Sequence, residues 1–169
     1  TFVKLYGNIF KNIDIITSPI DCNIFKDLKQ QREDKILYVG FMHHLKGINN
    51  FFSKVLNNQN ITFVMAAWGN SILERYAKLF KNIEWLGKVE YSDMHLLYNK
   101  YKKIYYHPNK FEPFCRSIGE AILCGMELDC SNNIGAIHDY NSYGIDEMRN
   151  MCLQSPKKFW DIIKLDWNY

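Results

Sequence analysis

The sequence predicts an α/β domain of three layers, a mostly parallel sheet covered by helices on both faces. Two observations lead there. Short runs rich in β-branched and aromatic residues alternate with longer runs of helical periodicity along most of the chain. Alternation of this kind builds βαβ units, whose crossovers lay helices over the sheet. The second observation is size: 169 residues with 47% hydrophobic content form one compact domain with a real core. No internal repeat or low-complexity linker divides residues 1–169, which are read as a single domain.

The elements follow in order. Ile13–Thr17 and Lys35–Val39 are strand-like, and the charged Lys26–Asp34 stretch between them reads as a surface connection. Gly47–Leu56 is a helix, because Ile48, Phe51, Phe52, Val55 and Leu56 recur on one face. Ile61–Met65 is the next strand, followed by a helix over Ser71–Phe80. Ile83–Leu86 is a short strand, and Ser92–Asn99 a helix for which Ser92 is the expected N-cap. Ile104–His107 and Leu128–Cys130 are strands on either side of a further helix, and two or three helices finish the chain. The last of them, over residues 156–169, is amphipathic and aromatic, with Phe159, Trp160, Ile163 and Trp167.

The helix between the last two strands carries the most chemistry. Phe111 to Gly125 reads F-E-P-F-C-R-S-I-G-E-A-I-L-C-G, with seven residues between Glu112 and Glu120. Pro113 ahead of the periodic run and Gly125 just past it are the usual helix punctuation, so the helix starts near Cys115 or Arg116. Ile118, Ala121 and Ile122 form its buried stripe. Glu112 then stands before the free N–H groups of the helix start, and Glu120 about one turn inside. A helix N-terminus attracts phosphate, and carboxylates beside it can hold sugar hydroxyls. A plainer alternative is an Arg116–Glu120 pair on an exposed face, worth about a few tenths of a kcal/mol. Cys115 at a helix start is placed where a thiol pKa falls, although a nucleophile also needs a base in reach.

A second motif opens the first full βα turn, Y-V-G-F-M-H-H-L-K-G-I from Tyr38 to Ile48. Gly40 is read as ending the strand. Lys46 precedes the helix and opposes its dipole, so local stability does not explain it. An anion bound there would, and a lysine pointing into water is the alternative.

These two motifs resemble the donor site of retaining GT-B glycosyltransferases, glycosyltransferase family 4 in particular. Glu112, Pro113, Phe114, Glu120, Ala121 and Gly125 match that family's signature, with Cys115 where glycine is usual. Lys46 matches the family lysine that neutralises the donor diphosphate, and Phe41 stands where its partner arginine usually is. His43, His44 and Arg116 are candidates for the missing charge. Weaker matches fall in the same order: Ile61–Asn70, Ile83–Val89, Tyr105–Pro108 and Ser131–Ala136. The resemblance covers roughly Ile13 to Tyr140 and implies a Rossmann-like domain, the C-terminal donor-binding half of a GT-B enzyme.

The resemblance also implies roles. Lys46 and the N–H groups of Phe114, Cys115 and Arg116 would hold the diphosphate, Val89 would border the base, and Glu120 would bind the ribose hydroxyls. Glu112, as the catalytic carboxylate, would contact the donor sugar near the reacting carbon. The substrate would be a nucleotide-diphosphate sugar, with no metal and no other cofactor. An N-terminal acceptor-binding domain, in a longer chain or a separate subunit, would complete the cleft and make any peripheral membrane contact. The 156–169 helix would cross back to that domain or pack on its own sheet. Loss of the arginine and of the glycine also fits a non-catalytic α/β nucleotide-binding or protein-interaction module derived from such a domain.

Composition narrows the remaining classes. A net charge of +3 without basic clusters interleaved with aromatics speaks against nucleic-acid binding. No apolar run is long enough to span a bilayer, and no signal peptide opens the sequence. Five cysteines, an odd number without a C-x-x-C pair, fit a reducing, cytoplasmic setting. His43, His44 and His107 lack the cysteine spacing of a zinc site.

Overall fold

The computed structural model describes residues 16–166, with side chains described to residue 164. Five strands form one all-parallel sheet: β1 (Glu33–Met42), β2 (Phe63–Gly69), β3 (Ile83–Trp85), β4 (Tyr101–Tyr106) and β5 (Glu127–Cys130). Their order is β3-β2-β1-β4-β5. The chain steps outward from β1 to β3, then returns to place β4 on the other side of β1. Ligands of such sheets bind at this reversal, outside the carboxyl ends of the strands. Here that crevice lies between the ends of β1 and β4.

The middle of β1 is a continuous buried run, Leu37, Tyr38 and Val39 among it, as expected for a strand covered on both faces. It runs three residues past the predicted end at Val39, because β2 pairs with it as far as Met42 opposite Gly69. Gly40 therefore lies within the strand, at φ 138°, rather than closing it. Strand β4 begins at Tyr101, three residues before the predicted Ile104. The preceding helix ends at Lys100, Tyr101 is already extended, and it pairs with Glu33.

Five helices cover the sheet: α1 (Ile48–Leu56), α2 (Ser71–Ala77), α3 (Met94–Lys100), α4 (Arg116–Leu123) and α5 (Gly135–Asp166). Of the predicted stripe of α1, Ile48, Phe51, Phe52 and Val55 are buried and Leu56, in the last turn, is exposed; Phe51 meets Tyr38, Phe63 and Tyr105 with ring centroids 4.6, 5.7 and 5.8 Å away. Aromatic pairs like these add about 0.5–1.5 kcal/mol each beyond their burial. Asn70 caps α2 by accepting from the Ile72 and Leu73 amides. Ser92 is not the cap of α3: Tyr91–Asp93 forms a 3-10 turn, and the helix starts at Met94. The Ser92 hydroxyl bonds Asp93 instead.

Helix α5 breaks at Gly144 (φ 78°, ψ 174°) and continues through Pro156. The predicted 156–169 helix is thus the end of a longer one, and residues 167–169, with Trp167, lie outside the described residues. Proline cannot donate to the carbonyl four residues back. That carbonyl, of Cys152, accepts from the Ser155 hydroxyl at 3.2 Å, which offsets the loss. Of the predicted Ile13–Thr17 strand, residues 13–15 lie outside the described range, and Ile16 and Thr17 carry no strand.

Candidate functional site

A cavity of about 520 Å³ opens at the carboxyl ends of the strands, between the β1–α1 turn and the start of α4. Lys46, Val89, Glu112, Cys115, Arg116 and Glu120, six of the seven predicted site residues, line it. Phe114 does not. Its ring is buried against α4, where a Cβ on Gly119 would lie 2.9 Å from it. Its carbonyl accepts from the Ala136 amide at 2.8 Å, tying this turn to α5. A second cavity of about 370 Å³ lies between residues 16–17 and the last turns of α5 and holds none of the predicted residues.

Lys46 and Glu112 come from loops that the fold clamps together. Gly47 caps α1 at φ 77°, and a Cβ there would overlap the His107 carbonyl, so only glycine admits this approach. Asn50 donates to that same carbonyl at 2.8 Å and to Asn109 at 2.9 Å, while the Asn109 amide bonds the Leu45 carbonyl. The Glu112 amide donates to Asn133 O, and the Glu112 carbonyl accepts from the Gly135 amide, both at 2.9 Å. Held this way, Lys46 Nζ meets Glu112 Oε1 at 2.6 Å. The Tyr106 hydroxyl donates to the same oxygen at 3.4 Å. The two groups that the resemblance assigns to phosphate and sugar thus neutralise each other.

At the other end of the cavity Glu120 is only 3% exposed. Its Oε2 accepts from the Tyr98 hydroxyl at 3.1 Å. Its Oε1 is buried without a hydrogen bond and faces Arg116 Nε at 3.5 Å. Burial pushes this carboxyl up to about 7, against the opposing pull of the Tyr98 hydroxyl, Arg116 and, more weakly, the Tyr91 hydroxyl. The Arg116–Glu120 pair is therefore not the exposed helix-face pair allowed by the sequence. Arg116 itself lies over the Tyr91 ring, 5.3 Å from its centroid. A buried carboxylate oxygen with only a long ion-pair contact and no close hydrogen bond is costly unless something completes it.

Cys115 adopts φ 65°, ψ 84°, the left-handed region, just before α4. Glycine reaches that conformation without strain, which accounts for its use at this position in the family that the sequence resembles. Burial pushes the Cys115 thiol up, not down as its place at a helix start predicted, so it is not a poised thiolate. Phe41 stands on the cavity wall beside Trp68 and brings no charge. His43 does not replace it: its ring stacks on Phe41, and its Nδ1 accepts from the Leu45 amide.

Chemically the site offers a helix start, two lysines (Lys46 and Lys88) and Arg116 for anions, and the carboxylates of Glu90, Glu112 and Glu120. Among the described residues no three His, Cys, Asp or Glu side chains gather into a metal-sized group, and no helix is long and apolar enough to cross a membrane. Sequence reasoning missed Tyr91, Tyr98 and Tyr106. A buried tyrosine hydroxyl needs a partner, but the partner of Tyr98 is Glu120, on a helix distant in sequence.

Solved structures share this fold. WaaG, a glycosyltransferase involved in lipopolysaccharide biosynthesis, aligns at TM-score 0.64 and 14% identity over 91% of this chain and 52% of its own. AviGT4, involved in avilamycin A biosynthesis, aligns at 0.62 and 14% over 88% of this chain and 50% of its own. The C-terminal domain of LpcC, a glycosyl transferase group 1 family protein from Francisella tularensis, aligns at 0.52 and 14% over 80% of this chain and 93% of that domain. The chain thus spans about half the length of the first two, as the C-terminal half of a GT-B fold does. No curated protein sequence matches it. Residues 20–146, which hold the whole sheet and every residue lining the cavity, match the glycosyl transferases group 1, and the chain belongs to that family.

Proposed function

We propose that this domain binds a nucleotide-diphosphate sugar and serves its transfer, with retention, to an acceptor held across a cleft by a second domain. The observation that carries the reading is Glu120 Oε1, buried, lacking a hydrogen bond and lining the cavity beside the start of α4. A ribose hydroxyl supplies the donor that this oxygen lacks. The diphosphate then lies over the first N–H groups of α4, where the helix dipole favours negative charge. Lys46 turns from Glu112 to the phosphates, and Glu112 is released toward the sugar.

In the reaction the bond between the anomeric carbon and the diphosphate oxygen breaks, and its electron pair leaves with the diphosphate. Lys46 and the helix start stabilise that leaving charge, the work done elsewhere by a metal ion. Glu112 stabilises the positive charge that develops on the sugar. The acceptor hydroxyl bonds to the anomeric carbon on the face that the diphosphate leaves and gives its proton to the departing diphosphate oxygen, so configuration is retained. Glu120 belongs to the nucleotide, so the two carboxylates do not form the acid–base pair of a glycosidase. The unpaired thiols of the described cysteines fit a cytoplasmic setting.

One observation favours the second reading, a non-catalytic module: Phe41 removes half of the expected phosphate clamp. Thermal denaturation with a panel of nucleoside diphosphates separates the readings at the level of binding. A nucleoside diphosphate should raise the midpoint, and Lys46→Ala should weaken the diphosphate more than the parent nucleoside. Loss of a charge-assisted contact predicts about 1.5–3 kcal/mol for the former. Equal losses for both ligands would remove Lys46 from the phosphate site.

A further inference from the structure

The cavity wall opposite α4 is aromatic, and the charges of the site do not explain it. Phe41 and Trp68 are register partners on β1 and β2, so their side chains leave the sheet on the same face. They are 44% and 41% exposed, and both line the cavity. Phe41 is held from two sides. Its ring covers Gly69, where a Cβ would lie 2.7 Å from Phe41 Cε2. The His43 ring stacks on it at 6.1 Å and 19°. A fixed, half-exposed ring among the charged pairs of this site is a surface that suits a flat or apolar ligand face.

The charges around it limit what that ligand is. Three basic side chains line the cavity, and each has an acid beside it: Lys46 with Glu112 at 2.6 Å, Arg116 with Glu120 at 3.5 Å and Lys88 with Glu90 at 3.8 Å. Single-stranded nucleic acid also stacks on rings, but it needs a row of cations along successive phosphates, and among the described residues only these three line the cavity. A pyranose does not: it is neutral, it offers an apolar C–H face, and its hydroxyls suit paired acids and bases at the rim. We propose that Phe41 and Trp68 form a stacking wall for a pyranose ring, and so determine specificity where an arginine would otherwise grip phosphate. This rests on the donor-site reading above. The ring is either the glycosyl group of the donor or a sugar of a glycan acceptor.

Calorimetric titration tests the wall on wild type, Phe41→Ala, Phe41→Leu, Trp68→Ala and Phe41→Arg. The probes are UDP, ADP and GDP, then UDP-glucose, ADP-glucose and GDP-mannose, then maltohexaose, chitohexaose and poly(U). Phe41→Leu keeps the apolar volume over Gly69, so it guards against a folding defect. Truncation of a stacked ring should lower affinity for saccharide-bearing probes about tenfold, while the matching nucleoside diphosphate changes less than about twofold. Phe41→Arg should reverse the preference, gaining on the diphosphate and losing on the saccharide. Losses confined to nucleotide sugars assign the wall to the donor sugar, and losses with the free oligosaccharides assign it to the acceptor.

The proposal is overturned if no saccharide-bearing probe binds better than its nucleoside diphosphate or is lost on truncation. It is equally overturned if the nucleoside diphosphate alone falls as far, which would place the base on the wall, or if poly(U) is the probe that falls. Nucleoside diphosphates that fail to bind while an oligosaccharide is lost on truncation would sink the donor reading and leave the wall standing.

Discussion

Removing the charge of Glu120 should change how stability depends on pH. Burial raises its carboxyl from the ordinary 4.5 to about 7, which corresponds to about 3 kcal/mol against the ionised form in the native state. Between these two values the native protein keeps a proton that the unfolded chain has released, so stability falls as pH rises. The penalty is absent at low pH, where both states are protonated, and complete above about 7. Glu120→Gln cannot ionise and escapes this dependence. Urea denaturation of both proteins from pH 5 to pH 8 should show wild type losing about 2–3 kcal/mol relative to the variant. Gln has its own fixed effect beside Tyr98, so the difference in slope carries the test, not the offset. Parallel curves would refute the reasoning and mean that the carboxylate is solvated or fully paired. A hydroxyl bound at Oε1 stabilises the ionised form, so nucleotide binding near pH 7 should release protons, readable as a dependence of binding heat on the buffer.

Two further outcomes are expected. Cys115 occupies a left-handed conformation that disfavours any Cβ by about 1 kcal/mol, so Cys115→Gly should be more stable than Cys115→Ala by about that amount, the reverse of the usual order at a helix; chemical denaturation giving the ordinary order would show that the turn relaxes. In the protein together with the domain that completes the cleft, Glu112→Gln should keep or raise nucleotide affinity, because Lys46 no longer leaves an ion pair to reach the phosphates, and lower kcat by about two orders of magnitude or more, because the lost anion acts on the transition state; wild-type turnover would remove Glu112 from the chemistry.

Much of this architecture was legible in the residues themselves. The strands of a parallel sheet read as short apolar runs, and α1 and α4 display their buried stripes plainly, so layers and order followed. Boundaries failed where a residue carries a local meaning that tertiary structure overrides. Gly40 looks like a strand end, but pairing with β2 carries β1 past it. Ser92 looks like a cap, but the chain makes a 3-10 turn first. Pro156 looks like a helix start, but Ser155 satisfies the carbonyl that it leaves open.

The candidate site was legible as positions and not as states. The convergence of Lys46, Glu112 and Glu120 followed from their placement at strand ends and a helix start. That Lys46 is tied to Glu112, and that Tyr98 covers Glu120, depends on elements distant in sequence. On a helical wheel Arg116 and Glu120 pair on an outer face, and only the packing of α3 reveals that Glu120 is buried. The aromatic wall escaped notice because Phe41 registers first as a missing arginine. Its meaning needs Trp68 on the neighbouring strand.

Whether this cavity holds the nucleotide of a sugar donor is decided by a crystal structure of the protein with the nucleoside diphosphate that raises its denaturation midpoint most. The expected complex has a ribose hydroxyl within hydrogen-bonding distance of Glu120 Oε1, the phosphates over the first turn of α4, and Lys46 moved from Glu112 to a phosphate oxygen. A nucleotide bound elsewhere, or bound here with the Lys46–Glu112 pair intact and Glu120 untouched, would contradict it.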